Sequence, residues 1–255
     1  MKKPLRMVRS ALRRICAASG AFARVLAGSE HASRSYSQYG EDMVLRAVFA
    51  RYPPAYAGFY VDVGGHHPMR FSNTRYFYER GWSGISIDPL PGCSRLFARW
   101  RPRDTFLQTG VADTEGEMTY FMFDEPALNT FSEKIAGENS ARVTAKERVS
   151  VYPLRRIFAD YLPTGRDIDF LSVDVEGMDM AVLCSNDWAH YRPRVVLIEE
   201  TSSATLAEVE SLEAAIFMKQ QGYRAFARTP SALFFVDTRA TTYDGGCYLR
   251  VSPQI

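Results

Sequence analysis

Phe59-Tyr60-Val61-Asp62-Val63-Gly64-Gly65 has the pattern of a buried strand that runs directly into a glycine turn. A glycine pair lets backbone amides approach a ligand closely, and a helix that follows such a turn directs its positive end towards the ligand. His66-His67-Pro68 comes next, so the spacing of the GxGxxG dinucleotide fingerprint is missing. The turn therefore favours a single-nucleoside cofactor over a nicotinamide dinucleotide.

Strand and helix patterns alternate on both sides of this turn. Strands are predicted over 59–65, 84–88, 106–112, 118–123, 168–175 and 194–200, with a terminal hairpin over 224–228 and 233–236. Helices are predicted over 41–49, 72–80, 93–100, 154–162 and 205–221, with another starting at 178–184. Residues 124–148 are polar and lack a period, which indicates a loop with a short helix or a mobile lid. The alternation predicts a doubly wound α/β fold with a mostly parallel sheet and an antiparallel terminal strand.

Acidic residues stand at the ends of five successive predicted strands. Such a carboxylate on its own is more often a helix cap or a turn residue. The carboxyl ends of parallel strands meet at one edge of a sheet, however, and five acids there would repel one another without a ligand or a cation. The arrangement predicts a polar cofactor and a metal, with Asp88 placed to accept the two hydroxyls of a ribose. The acids are Asp62, Asp88, Asp113, Asp174 with Glu176, and Glu199 with Glu200.

Four spaced motifs resemble the FkbM-type methyltransferases, and the resemblance runs from about residue 37 to about residue 236. They are Val61-Asp62-Val63-Gly64-Gly65-His66-His67-Pro68 with Ser72-Asn73-Thr74, Ile87-Asp88-Pro89, Gly110-Val111-Ala112-Asp113, and Phe170-Leu171-Ser172-Val173-Asp174-Val175-Glu176-Gly177. The family implies a seven-stranded, Rossmann-like class I methyltransferase fold, S-adenosylmethionine as the methyl donor, and O-methylation, often of sugars. The expected acceptor is thus a sugar hydroxyl of a glycan, glycolipid or glycosylated metabolite.

The resemblance also assigns cofactor contacts by position. It implies that Asp62, Gly64 and Gly65 line the amino-acid end of the cofactor, and that Asn73 lies in the same site. Asp88 would hold the ribose and Asp113 would border the adenine. The chain departs from the family at Gly65-His66, where many relatives carry Ala-Asn.

A sugar hydroxyl is a poor nucleophile and must lose its proton as the methyl group moves, so a base or a cation is expected. Asp174, Glu176, Glu199 and Glu200 form a set of hard oxygen ligands suited to Mg²⁺ or Ca²⁺. In the alternative without a metal, Glu176 orients the substrate and Glu200 faces a helix amide. His66 is the other candidate base, whereas His67 is expected to be structural because a proline follows it.

The charge pattern separates a basic arm, residues 1–35, from a methyltransferase domain, residues 36–255. The arm carries seven Lys and Arg residues before the first acid, which leaves 24 basic against 29 acidic residues in the remainder of the chain. This mildly acidic body argues against nucleic-acid binding. Residues 4–28 have the pattern of a basic amphipathic helix, which contacts an anionic membrane surface or packs on the body or on a second subunit.

The cellular location and the alternatives to sugar methylation are the remaining expectations from the sequence. Four widely spaced cysteines and the lack of a long apolar run predict a cytoplasmic protein, peripheral to the inner face of the membrane if the arm binds lipid. Two alternatives to sugar methylation stay open. One is the same fold acting on a lipid, peptide or small molecule, and the other is a nucleoside-binding module without turnover that its basic helix tethers.

Overall fold

The computed structural model describes residues 32–242 and 250–251; of these, residues 241–242 and 250–251 are described by their backbone alone. The chain divides into two units, Met1–Ser35 and Tyr36–Ile255. The predicted basic helix, residues 4–28, lies outside the described residues. Among the helices that are described, none has both the length and the apolar character needed to cross a bilayer.

Twelve strands and seven α-helices make up the described part of the chain. The strands are β1 (Phe59–Val63), β2 (Ser83–Ile87), β3 (Thr105–Leu107), β4 (Gly110–Val111), β5 (Gly116–Phe123), β6 (Val143–Tyr152), β7 (Phe170–Val173), β8 (Val195–Glu199), β9 (Tyr223–Arg228), β10 (Ala232–Asp237), β11 (Thr241–Thr242) and β12 (Arg250–Val251). The helices are α1 (Glu41–Phe49), α2 (Arg75–Tyr78), α3 (Cys93–Trp100), α4 (Glu133–Glu138), α5 (Leu154–Tyr161), α6 (Asp179–Cys184) and α7 (Glu213–Gln220).

Seven of these strands form one sheet in the order β3-β2-β1-β7-β8-β10-β9. Strands β3, β2, β1, β7 and β8 run parallel, and β10 is inserted antiparallel between β8 and β9. This confirms the predicted doubly wound α/β fold with an antiparallel terminal strand. Because the order reverses beside β1, the carboxyl ends of β1 and β7 flank a crevice in which ligands bind in open α/β sheets.

Both faces of the large sheet are covered. Successive residues of a strand point to opposite faces, so Phe170 packs in one apolar cluster with Phe234, while Leu171 packs in another with Phe235. All four side chains are at most 1% exposed. Burying a side chain of this size contributes about 1.5–3 kcal/mol. Two covered faces leave the strand ends as the part of the sheet that is open to a ligand.

A second, three-stranded sheet corrects the prediction of one strand over 106–112. The chain there forms two short strands in different sheets, because β4 leaves the large sheet and pairs with β6, which in turn pairs antiparallel with β5. The predicted loop over 124–148 is also partly wrong, since β6 begins at Val143. Residues 124–142, here called the cap, hold two 3₁₀ turns and α4.

Two predicted helices are shorter than the sequence pattern suggested. The helix predicted over 205–221 breaks at Leu212, whose ψ of 143° is extended, so a 3₁₀ turn (Val209–Ser211) precedes α7. The helix predicted over 72–80 is reduced to α2, because Ser72 and Thr74 use their hydroxyls in a hydrogen-bonded turn.

Candidate active site

The glycine turn after β1 is attached to the neighbouring strand β2. The amides of Gly64 and Gly65 both donate to the carbonyl of Ile87, at 2.9 and 3.1 Å. Gly64 has a φ of +84°, and His66 follows with a φ of +35°. Positive φ is uncommon outside glycine and indicates that tertiary contacts hold the backbone at His66 in place.

Asp88 closes this turn from the end of β2. One carboxylate oxygen accepts the amide of His66 at 2.7 Å and the other accepts the amide of Leu90 at 2.8 Å. The side chain lines the cavity described below although the residue is only 5% exposed, and burial raises its pKa to about 6. A carboxylate offers about four lone-pair positions, so two remain for hydroxyl groups of a ligand.

Asp62 lies beneath the turn in a buried polar cluster. Its carboxylate accepts the Thr74 hydroxyl at 3.0 Å, and nearby Asn73 donates from Nδ2 to the Ser172 hydroxyl at 3.1 Å. Burial raises the pKa of Asp62, and the Arg101 charge opposes that shift. The cluster ties the end of β1 to β7 and to the residues that precede α2.

Three carboxylates meet where β7 and β8 end. One oxygen from each of Asp174, Glu176 and Glu199 can be chosen so that all three lie within 4.8 Å of one another. Burial and mutual repulsion raise the pKa of Asp174 to about 8 and that of Glu199 to about 9, while burial and Asp179 raise that of Glu176 to about 7. Within residues 32–242, no lysine or arginine forms an ion pair with any of the three. The cluster is therefore short of positive charge.

The backbone at Glu176 shows how the cluster is held. Glu176 has a φ of +50°, and its carbonyl accepts the hydroxyl of Thr130 from the cap at 2.7 Å. A left-handed non-glycine residue is strained, and such strain persists where the surrounding structure fixes it.

A cavity of about 590 Å³ joins these groups, a volume in the range of small-molecule sites. Nine predicted site residues line it: Asp62, Gly64, Gly65, His66, Asn73, Asp88, Asp174, Glu176 and Glu199. Asp174 is exposed because its free surface faces this cavity. Its carboxylate is nevertheless surrounded by protein atoms, and this burial raises its pKa.

Two predicted site residues are not brought to the cavity. Asp113 is exposed in the turn after β4, because β4 leaves the large sheet, and it does not line the cavity; its place beside adenine stays a prediction. Glu200 follows Glu199 but accepts the amide of Ser202 at 2.8 Å, outside the three-carboxylate cluster. The proposed metal set therefore loses its fourth member.

Comparison with known proteins gives one decisive match. The family model described as "Methyltransferase FkbM domain" matches residues 62–225, which is more than half of the chain. The chain belongs to the FkbM methyltransferase family. It is an S-adenosylmethionine-dependent methyltransferase. No curated protein sequence matches it significantly.

Solved structures give weaker similarities. The Burkholderia thailandensis 1,6-didemethyltoxoflavin-N1-methyltransferase, with bound 1,6-didemethyltoxoflavin and S-adenosylhomocysteine, is 14% identical over 91% of this chain and 90% of its own, with a TM-score of 0.40. The METTL16 methyltransferase domain is 11% identical over 76% of this chain and 65% of its own, with a TM-score of 0.40. TnmH is 18% identical over 90% of this chain and 61% of its own, with a TM-score of 0.36.

In this FkbM methyltransferase, the cap supplies cavity residues that the sequence did not reveal. Glu125, Leu128, Asn129 and Phe131 line the cavity from the cap, and Tyr120 joins them from β5. Arg70, after the glycine turn, forms a bidentate ion pair with Glu125 at 2.8 and 3.0 Å and holds the pKa of Glu125 at about 2. The polar, aperiodic character of 124–148 pointed to a functional segment but not to individual residues.

The two histidines of the turn differ in their surroundings. His67 accepts the amides of Met69 and Arg70 on Nδ1 at 3.0 and 3.1 Å, an arrangement that holds the turn together. His66 lines the cavity, and burial lowers its pKa, so its ring is neutral at pH 7 and can accept a proton.

Proposed function

We propose that this methyltransferase transfers the methyl group of S-adenosylmethionine to a hydroxyl group of a sugar in a glycan, glycolipid or glycosylated metabolite. The observation that carries the proposal is the cluster of Asp174, Glu176 and Glu199 at the wall of the cavity. A hydroxyl acceptor needs a group that takes its proton, whereas amine and thiolate acceptors are already good nucleophiles.

The cofactor is proposed to span the cavity along the strand ends. Its ribose hydroxyls would bind Asp88, and its amino-acid end would lie against Asp62, Gly64, Gly65 and Asn73, as the family resemblance implies. This order directs the sulfonium group towards the ends of β7 and β8. The methyl carbon then breaks its bond to sulfur and forms a bond to the acceptor oxygen, and S-adenosylhomocysteine leaves.

Glu176 is the favoured base. A general base works best when its pKa lies near the working pH, and that of Glu176 is about 7. The acceptor proton would pass to its carboxylate as the oxygen attacks. His66 is the alternative, but its ionisable neighbours are His67, Arg70 and Glu125, and its amide binds Asp88 on the ribose side. Asp174 and Glu199 would orient the acceptor hydroxyls.

A divalent cation fits the same cluster. Hard oxygen ligands are those that Mg²⁺ and Ca²⁺ prefer, and the raised pKa values show that the three carboxylates do not ionise together without a compensating charge. We propose that Asp174, Glu176 and Glu199 would hold the cation, and that Glu176 would then act as a ligand to it in place of its role as the base. A bound cation would supply Lewis acidity that lowers the pKa of a neighbouring hydroxyl.

Two aromatic rings support a sugar as the acceptor. Tyr39 is 53% exposed and Phe71 is 43% exposed, although both line the cavity. Large exposed aromatic side chains are costly to leave in water, and their faces pack well against the apolar face of a sugar ring. Phe71 has a φ of +53° and stacks on the Arg70 guanidinium at 4.3 Å, which fixes its position.

Methyl transfer from radiolabelled S-adenosylmethionine to a panel of acceptors tests the proposal. The panel pairs each glycoside that carries neighbouring hydroxyls with its deoxy analogue and adds a phenol, a lipid and a peptide. We expect labelled sugar product, and less of it with the deoxy analogues. Methyl-transfer activity should be lost in EDTA and restored by added Mg²⁺. Label found only on a non-sugar acceptor would rule out a sugar as the acceptor. Full activity after chelation would rule out the cation and leave the sugar acceptor standing.

A further inference from the structure

Arg101 lies fully inside the protein at the C-terminal end of α3. Its side chain is 1% exposed. The guanidinium donates from Nε to Asp104 at 3.2 Å and from Nη2 to the Thr74 hydroxyl at 2.5 Å. Thr74, itself 0% exposed, donates to the Asp62 carboxylate at 3.0 Å. A continuous chain of contacts therefore connects Arg101 to a carboxylate that lines the cavity.

The hydrogen bonds of Thr74 have only one consistent direction. A hydroxyl has one proton and two acceptor positions. Arg101 can only donate, and a carboxylate accepts, so the Thr74 proton goes to Asp62. Ser72, at 3.2 Å from Thr74, then gives its own proton to the second acceptor position. This network leaves the Asp62 carboxylate with a fixed orientation.

The charges in this network do not balance. Arg101 is one cation facing two carboxylates, Asp62 and Asp104, and no other lysine or arginine of the described chain forms an ion pair with either. Asp104 takes further hydrogen bonds from the Tyr60 hydroxyl and the Gly84 amide, whereas the remaining free surface of Asp62 faces the cavity. The negative charge of Asp62 that Arg101 does not compensate therefore faces the cavity, where a ligand can contact it.

A purely stabilising role does not explain this arrangement well. Arg101 Nη1 is buried and has no hydrogen-bond partner. Buried ion pairs with unsatisfied atoms are weak contributors to stability compared with apolar side chains of the same volume. The contact of Nη2 with the Thr74 hydroxyl instead helps to fix the Asp62 carboxylate at the wall of the cavity.

We propose that Arg101 and Thr74 are positioning residues that orient the Asp62 carboxylate to receive the α-ammonium group of S-adenosylmethionine. The cofactor then supplies the second positive charge that the network lacks. The inference rests on the cofactor orientation given under the proposed function and does not depend on the acceptor. Thr74 and Arg101 act through Asp62 and make no contact with the reacting atoms.

Calorimetric binding of two ligands to the full chain tests this. S-adenosylhomocysteine carries the ammonium group, and 5′-methylthioadenosine has the same nucleoside without the amino-acid part. Thr74→Val keeps the shape of the side chain and removes the hydroxyl, and Thr74→Ser is the matched control that keeps it. We expect Thr74→Val to weaken the binding of S-adenosylhomocysteine about tenfold and to leave the affinity for methylthioadenosine within about twofold of the wild type. Thr74→Ser should bind both ligands like the wild type.

The other outcomes overturn the proposal in different ways. Equal weakening of both ligands by Thr74→Val would show that the network only supports the fold, and an unchanged affinity for both would show that it has no role. Asp62→Asn separates the remaining case: if it does not weaken S-adenosylhomocysteine relative to methylthioadenosine, the ammonium group is not at Asp62. Because no acceptor is present, the sugar hydroxyl proposal would survive each of these results.

Discussion

Gly64 packs directly against the backbone of Asp174. A Cβ atom placed on Gly64 would lie 1.7 Å from the Asp174 carbonyl oxygen, and the φ of +84° at Gly64 is itself unfavourable for other residues. The turn that is proposed to hold the cofactor and the strand end that carries the acidic cluster thus share one contact. Because Gly64 has no side chain, its backbone can lie directly against that of Asp174, and this contact connects the two halves of the site.

Replacing Gly64 should therefore damage both halves at once. We expect Gly64→Ala to lower the melting temperature by several degrees and to abolish measurable binding of S-adenosylhomocysteine, since the Asp174 backbone must move. Gly116→Ala is the matched control, because a Cβ there meets no atom within 4 Å. Calorimetry and thermal unfolding measure both effects. Wild-type binding by Gly64→Ala would show that the contact is not needed.

Asp88 should control nucleoside affinity and its dependence on pH. We expect Asp88→Asn to weaken S-adenosylhomocysteine and methylthioadenosine alike by at least tenfold, since both carry the ribose. Asp113→Asn, at an exposed position outside the cavity, should bind like the wild type. The free carboxyl has a pKa of about 6, so wild-type affinity should fall as the pH drops below 6. An Asp88→Asn protein with the same affinity and pH profile would remove the ribose assignment.

Glu199 should lower the stability of the metal-free protein at high pH. Its pKa is about 9 in the folded chain and about 4.5 in an ordinary environment, so the folded state binds the proton more tightly than the unfolded state. Stability contributed by this group is complete below pH 4.5 and is lost as the pH rises through 9. In EDTA at pH 8 we expect Glu199→Gln to raise the melting temperature by several degrees, at about 2–4 °C per kcal/mol.

Glu200→Gln is the control for that measurement, since Glu200 bonds a loop amide outside the cluster. Added Mg²⁺ should stabilise the wild type and have less effect on Glu199→Gln, because the cation compensates the same charge. A lower melting temperature for Glu199→Gln at pH 8 would contradict the repulsion on which this prediction rests.

Turnover distinguishes the two candidate bases, Glu176 and His66. If Glu176 is the base, Glu176→Gln should lower kcat by 10²-fold or more, as expected for loss of a general base, with little change in affinity for S-adenosylhomocysteine. His66→Ala should keep at least a tenth of wild-type kcat. Transfer of the radiolabelled methyl group from S-adenosylmethionine to the acceptor, followed at saturating substrate, measures both. The reverse result would assign the base to His66.

The strand ends could be predicted from sequence because their signals are local. Asp62, Asp88 and Asp174 each follow an apolar run, and the rule that ligands collect at the carboxyl ends of parallel strands brought them together. Glu199 and Glu200 could have been separated in advance, because neighbouring residues of a strand point to opposite faces. In the structure Glu200 lies just beyond β8, and its carboxylate accepts the amide of Ser202.

The rest of the site depends on contacts between residues far apart in the chain. Asp113 lies outside the cavity because Gly110 pairs with Val151 in the small sheet, a contact that nothing in the local pattern of residues 106–112 indicates. Asn129 and Phe131 reach the cavity because the cap folds back over it, with Thr130 bonded to the Glu176 carbonyl. Periodicity predicts elements, whereas these positions are set by tertiary packing.

A crystal structure of the full chain with S-adenosylhomocysteine bound would show where the cofactor lies. We predict that the ligand lies in the cavity, with its ribose hydroxyls on the Asp88 carboxylate and its sulfur directed towards Asp174, Glu176 and Glu199. A ligand bound elsewhere, or one whose sulfur points away from these three carboxylates, would rule out the proposed site.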